Sequence, residues 1–175
     1  MAIQINGNGT ITGVSVGGLP DGIVDTDMIA ASAVTPAKST ITGGKILQVI
    51  ESTSDTNVIA TTSEATLLTL SITPSNASNK ILISCNFVGE VSSGSSNGLA
   101  WVRVYRGTTS GTKIIHLGQG VLTYNYVTMN GQVLDSPNTT SAQTYTMTIA
   151  RLSGGTAQVD TNGNDYYLHA MEVAA

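Results

Sequence analysis

Two histidines and a single cysteine are the side chains of this sequence best suited to metal binding or nucleophilic catalysis. His116 and His169 each lie in a run that alternates apolar and polar residues, which predicts a β-strand around each ring. Glu172 follows His169 by three residues, and in a strand that offset places the two side chains on opposite faces. Cys85 lies in the apolar run ILISCNFV, which is typical of a buried core residue. We therefore expect two sheet histidines, no metal ligand and no nucleophilic cysteine.

The acidic residues lack the spacing of a catalytic or metal-binding group. Residues 160–165 begin like a calcium loop, but an EF-hand would need glycine at Asp165 and glutamate at Met171. A hairpin with Asn162 and Gly163 as its turn fits this segment better. Polysaccharide hydrolysis needs paired carboxylates, and no spacing marks a pair among Glu51, Glu64, Glu90, Asp135 and Glu172. The predictions are therefore no enzyme activity, no cofactor and no bound metal.

Aromatic side chains offer a different chemistry, the recognition of a surface. Trp101, Arg103 and Tyr105 alternate along one predicted strand and so share a face, while Tyr124 and Tyr126 belong to another strand. Such rings can stack on sugars or anchor a protein interface. They can also fill the core of a sheet protein or a contact between subunits, which is the more common role of such rings, and both interpretations stay open. The candidate recognition residues are Trp101, Tyr105, Tyr124 and Tyr126.

The elements that must position these residues are all strands. From Lys45 onward, period-two alternation and turns rich in Ser, Asn, Gly and Pro recur, and no window has a helical apolar stripe. The pattern predicts strands over 45–51, 56–62, 66–73, 80–91, 99–107, 112–118, 124–135, 142–152 and 165–173. Strands at this spacing without helices indicate an all-β protein, an antiparallel β-sandwich of jelly-roll-like type, over residues 44–175.

Composition limits the classes of partner. Charged residues make up 10% of the 175 residues, and the net charge is −4. Seven scattered Lys and Arg residues give no basic footprint, so we expect no nucleic acid as a partner. No apolar run is long enough to span a bilayer and no signal peptide is evident, so we expect no membrane partner. The single cysteine excludes an internal disulfide.

Residues 1–43 have a different character and predict an extended N-terminal arm or stalk. The segment has no aromatic residue and one basic residue, and its apolar side chains are too few to offset the entropy cost of ordering it alone. We expect it to order against identical chains or in a socket on another protein. The residues expected to anchor or oligomerise the arm are Ile3, Ile5, Ile11, Val14, Val16, Ile23, Val24, Met28, Ile29 and Val34.

One string in the arm is similar to a known sequence family. Residues 18–38, GLPDGIVDTDMIAASAVTPAK, resemble the D-I-A-x-x-A-V-T-x-x-K units of tail-fibre and related virion proteins of bacteriophages, particularly marine ones. The matching residues are Asp27, Met28, Ile29, Ala30, Ala33, Val34, Thr35, Ala37 and Lys38. The C-terminal half resembles the β-sandwich heads of such proteins in pattern. Fibre shafts carry many units in tandem and this chain about two, which favours a short stalk or anchoring peptide.

The resemblance implies a structural virion protein that is assembled in the host cytoplasm and forms a homotrimer. Its arm would bind other virion proteins, and its head would project and could attach to a host-surface polysaccharide. Two alternatives stay open. The protein could decorate or cement the capsid, with its arm adding strands to neighbouring sheets. It could instead be a carbohydrate-binding module or a polysaccharide-degrading enzyme.

Overall fold

The chain divides into two units, Met1–Ile41 and Thr42–Ala175. A computed structural model describes residues 4–5, 11–12, 44–60, 63–92, 98–122, 127–153, 156–159 and 165–175. In the first unit, strand β1 (Gln4–Ile5) pairs antiparallel with β2 (Ile11–Thr12), which brings Ile5 opposite Ile11. The other predicted anchoring residues, from Ile3 to Val34, lie outside the described residues. The assignment of 1–43 to an attachment and oligomerisation arm stays a prediction.

The second unit is built from antiparallel strands, and no helix occurs among the described residues. The strands are β3 (Ile46–Ser54), β4 (Val58–Ala60), β5 (Ala65–Ile72), β6 (Lys80–Ser92), β7 (Gly98–Arg106), β8 (Thr112–Leu122), β9 (Val127–Asp135), β10 (Gln143–Ser153), β11 (Thr156–Val159) and β12 (Tyr166–Val173).

These strands form two sheets with jelly-roll connectivity. Sheet I has the order β3-β12-β6-β9, and sheet II has the order β5-β10-β7-β8. In sheet I, β12 pairs with the first half of β6, and β11 pairs with the last residues of β6. On their other edge, β12 pairs with β3, and β11 pairs with β4. Strands β3 and β4 therefore act as one interrupted strand, as do β11 and β12, and each sheet has four strands among the described residues. The prediction of an antiparallel β-sandwich of jelly-roll type is confirmed.

Two details of the sequence prediction differ from the structure. Strand β11 was not predicted, because the four residues TAQV are too short a run to show alternation. The predicted hairpin after β11 is wrong, because β11 and β12 both pair with β6 along the same edge. Residues 160–165 therefore connect two segments of one strand, and the turn residues Asn162 and Gly163 lie outside the described residues.

The core lies between the sheets and follows the alternation of the strands. In β6, Ile81, Ile83, Cys85 and Phe87 point inward and are almost fully buried. Burial raises the pKa of the Cys85 thiol to about 11, against a smaller opposing effect of its hydrogen bond to the Gly131 carbonyl. The prediction of a buried core cysteine is confirmed, and the expectation that Cys85 is not a nucleophile stays a prediction.

Candidate functional site

The outer face of sheet II carries a cluster of polar and aromatic side chains. Along β7, Val102 and Val104 point into the core and are fully buried. Trp101, Arg103 and Tyr105 project from the opposite face, as predicted, and neither ring belongs to the apolar cluster between the sheets, although Tyr105 is itself buried. Together with three neighbours they form what we call the outer cluster: Glu64, Trp101, Arg103, Tyr105, His116 and Thr148.

Glu64 holds the outer cluster together from the turn before β5. Its carboxylate accepts hydrogen bonds from the Arg103 guanidinium, from the Tyr105 hydroxyl at 2.8 Å and from Thr148 Oγ1 at 3.3 Å. Arg103 pairs with His116 across β7 and β8, and Thr148 with Arg103 across β10 and β7, so sheet register places these side chains together. A charge-assisted pair surrounded by hydroxyl donors is a rigid arrangement.

The Trp101 ring is covered by its neighbours. The Arg103 guanidinium carbon lies 3.6 Å from the ring centroid, in cation–π geometry. His116 meets the same ring edge-on, with 5.4 Å between centroids and 74° between planes. A sugar could stack on the face beneath Arg103 only by displacing the guanidinium.

The titratable groups of the outer cluster are held in their neutral or paired forms. Burial, followed by the hydrogen bond to Glu64, raises the pKa of Tyr105, so the phenol stays protonated and donates. Partial desolvation, followed by the positive charges of Arg103 and Lys113, lowers the pKa of His116. At neutral pH, Tyr105 is therefore a protonated hydrogen-bond donor and His116 is a neutral imidazole.

Two of the four candidate recognition residues, Trp101 and Tyr105, belong to the outer cluster. Trp101 and Tyr105 lie side by side, although Tyr105 is only 7% exposed, and Tyr124 and Tyr126 lie outside the described residues. The indole Nε1 of Trp101 and the Nε of Arg103 are buried and have no hydrogen-bond partner among the described atoms. These two N–H groups are donors to which an acceptor could bind. Recognition through this surface stays a prediction.

Glu172 forms a second polar centre, which lies at the end of sheet I. Its side chain is fully buried and accepts hydrogen bonds from Gln48 Nε2 at 2.6 Å and from Asn79 Nδ2 at 2.6 Å. The backbone N–H and the hydroxyl of Ser75 donate to it at 2.6 and 2.7 Å. Burial alone would raise the pKa of Glu172, but the bonds from Asn79, Gln48 and Ser75 outweigh it and lower the pKa to about 2.

The role of Glu172 was missed by the sequence argument, although a signal existed. In β12 the inward residues are Tyr166, Leu168, Ala170 and Glu172, so alternation places this carboxylate on the apolar face. A carboxylate at such a position needs a set of donors. His169 lies on the other face, as predicted, where it contacts Glu51 at 2.6 Å and stacks on Tyr167.

A third polar group joins the two sheets. Asp135, at the end of β9 in sheet I, accepts a hydrogen bond from the Tyr145 hydroxyl at 2.7 Å. Arg106 Nη1 lies 3.2 and 3.3 Å from the two oxygens of the same carboxylate. Burial, then the hydrogen bond to Asp135, raises the pKa of Tyr145 far above its usual range. This group ties β9 to β7 and β10.

Within the described part of the chain, no three or more His, Cys, Asp and Glu side chains gather as a metal site would require. The same residues contain no helix long and apolar enough to cross a membrane. The expectations of no metal, no cofactor and no enzyme activity stay predictions.

No protein-family model and no curated protein matches the chain. Among solved structures, it is similar to Bacillus endospore appendages, which form disulfide-linked pili, with a TM-score of 0.39 and 15% identity over 78% of this chain and 97% of that one. It is also similar to the VP2 subviral particle of infectious bursal disease virus, with a TM-score of 0.47 and 14% identity over 73% of this chain and 32% of that one. For the Gx strain of this virus, the TM-score is 0.44 and the identity 16%, over 73% and 37%. The chain spans about a third of the viral chains, and similarities of this size assign no function.

Proposed function

We propose that this protein is a non-enzymatic structural component of a bacteriophage particle. It is a short, fibre-like homotrimer whose N-terminal arm binds other virion proteins and whose jelly-roll head projects outward. The proposal is supported by the phage-fibre-like string at residues 18–38 and by the strand-only head that follows it. Host attachment would be a function of the head surface, with the outer cluster as its candidate.

The single structural observation that carries this proposal is the way the first and last strands of the head pair with each other. The Gly44 N–H donates to the Ala174 carbonyl, and the Ala174 N–H donates to the Lys45 carbonyl. The first and last strands of the head are thus fixed side by side at one corner of sheet I. This pairing closes the head as a unit of its own, which supports the proposal of a head distinct from the segment before it.

Native mass spectrometry of the full chain tests the oligomeric part. We expect a species of three times the 18.0 kDa chain mass. A stable monomer across the concentration range would contradict the trimer.

Antibodies against the head test the virion part, by immunogold labelling of purified particles from cells that carry the encoding genome. Label at the tail supports a fibre, and label over the capsid supports the decoration alternative. Absence of the protein from purified particles would contradict both.

A further inference from the structure

A row of four apolar side chains crosses the outer face of sheet I, one from each strand. Backbone pairing aligns Val49 of β3 with Met171 of β12, Met171 with Leu82 of β6, and Leu82 with Leu134 of β9. Val49 and Leu134 are 55% and 48% exposed. We call these residues the apolar row; it crosses three inter-strand gaps, about 14 Å in all. Next to it, Ile46 and Leu47 of β3 are also exposed, which widens the apolar surface.

The two sides of the apolar row carry opposite charge. Lys45 and Lys80 are exposed on the side where β3 and β6 begin. Glu51 lies two residues beyond Val49 on the other side, and its side chain is 60% exposed. Beyond the apolar row on that side, the outer face is polar, with aligned His169, Ser84 and Gln132.

A two-fold axis parallel to the apolar row makes this surface complementary to itself. Such an axis lays each apolar row on the same residues of another copy and reverses the direction of the strands. Each β3 then lies over its counterpart, so Glu51 of one copy faces Ile46 and Leu47 of the other, next to Lys45. A Glu51–Lys45 contact on each side of the apolar row would favour this register of the pair.

We propose that the outer face of sheet I binds a second copy of this chain through the apolar row, in a two-fold, face-to-face contact. The contact is independent of the proposed virion function, since it depends only on residues of the head. A contact four strands wide and four outward-facing side chains long along each strand covers roughly 500 Å² on each copy. Stable complexes typically bury about 800 Å² on each partner, so this contact is smaller. We therefore expect reversible association in the micromolar range or weaker, which becomes effective when several copies are held together.

Sedimentation velocity of the full chain over a wide concentration range tests the contact with a Leu134→Glu variant. Each contact would contain two of these glutamates against apolar side chains, so the association should weaken by more than tenfold. The matched control is Ile59→Glu on β4, because Ile59 is 62% exposed on the same sheet. Ile59 aligns with Gln158 of β11, and Gln158 aligns with Glu90 of β6. Glu90 lies about 27 Å along β6 from Leu82, so Ile59 lies outside the apolar row.

The mass at low concentration reports the trimer, and its growth with concentration reports the apolar-row contact, so the two proposals can fail separately. A wild-type mass that is constant up to high concentration would overturn the contact. Equal weakening by Leu134→Glu and Ile59→Glu would overturn it as well, because the control lies outside the apolar row.

A charge exchange tests the two-fold geometry. Glu51→Lys and Lys45→Glu should each weaken the association severalfold, since each places like charges opposite one another. The double variant should restore association, because the charges on the two sides are simply exchanged. Glu51→Gln serves as the control for loss of the Glu51–His169 contact. Failure of the double variant to recover would overturn the two-fold arrangement and indicate a partner other than a second copy.

Discussion

At the scale of single residues, Glu172 shows how one buried carboxylate can join three parts of the head. It lies in β12 and takes its donors from Gln48 of β3 and from Ser75 and Asn79 in the turn between β5 and β6. These bonds fasten the turn to the end of sheet I. Because donors surround the carboxylate, its charged form is the stable one in the folded protein.

The first prediction concerns Glu172→Gln and pH. The folded pKa of about 2 lies below the ordinary 4.5, so the stabilising contribution is complete above about pH 5 and is lost as the pH falls towards 2. At pH 7, Glu172→Gln should lower the free energy of unfolding by about 1–3 kcal/mol, because an acceptor is replaced by a donor. Urea unfolding at pH 7 and pH 3 measures both effects, and the difference between variant and wild type should narrow at pH 3.

Glu51→Gln is the control for this prediction, since the Glu51 side chain is 60% exposed. Its effect should stay below about 1 kcal/mol at both pH values. A Glu172→Gln effect that is equal at pH 7 and pH 3 would contradict the depressed pKa.

At the scale of elements, the sequence predicted most strands because alternation is a local property. It placed Trp101, Arg103 and Tyr105 on one face correctly, and it placed Glu172 and His169 on opposite faces. It could not place Glu64 in the outer cluster, because that contact joins residues 39 positions apart along the chain. It also missed β11, whose pairing with β6 depends on tertiary packing rather than on a pattern within four residues.

The turn between β7 and β8 supports a prediction at this scale. Gly107 has a φ of +93°, and the Gly111 N–H donates to the Thr108 carbonyl at 2.8 Å. A Cβ on Gly111 would lie 2.2 Å from the Arg106 carbonyl oxygen. The backbone carbonyl cannot move aside as the flexible end of a side chain can, so Gly111→Ala must shift the backbone of the turn. We expect the free energy of unfolding to fall by about 1–3 kcal/mol.

Thr109→Ala is the matched control in the same turn, because Thr109 is exposed. Its effect should stay within about 0.5 kcal/mol. Chemical denaturation of both variants measures the comparison, and similar stabilities for the two would contradict the close approach at Gly111.

At the scale of the whole molecule, the two outer faces of the jelly roll differ in character. Sheet II presents the outer cluster, in which hydrogen bonds and a cation–π contact hold the side chains in place. Sheet I presents the apolar row between surfaces of opposite charge. A head that recognises one partner through polar groups and another copy through an apolar surface would use each face for a different contact. The sequence predicted the sandwich but not this division, because the division depends on the register of four strands.

The last prediction separates the arm from the head. Residues 44–175 should fold without the arm and unfold in one cooperative transition, because their core and both sheets are complete within the unit Thr42–Ala175. If the arm makes the trimer, this fragment should be monomeric at low concentration in sedimentation, while the full chain has three times its chain mass. At high concentration the fragment should still associate through the apolar row, and Leu134→Glu should weaken that association by more than tenfold. A trimeric fragment would contradict oligomerisation through the arm, because the head alone would then form the trimer.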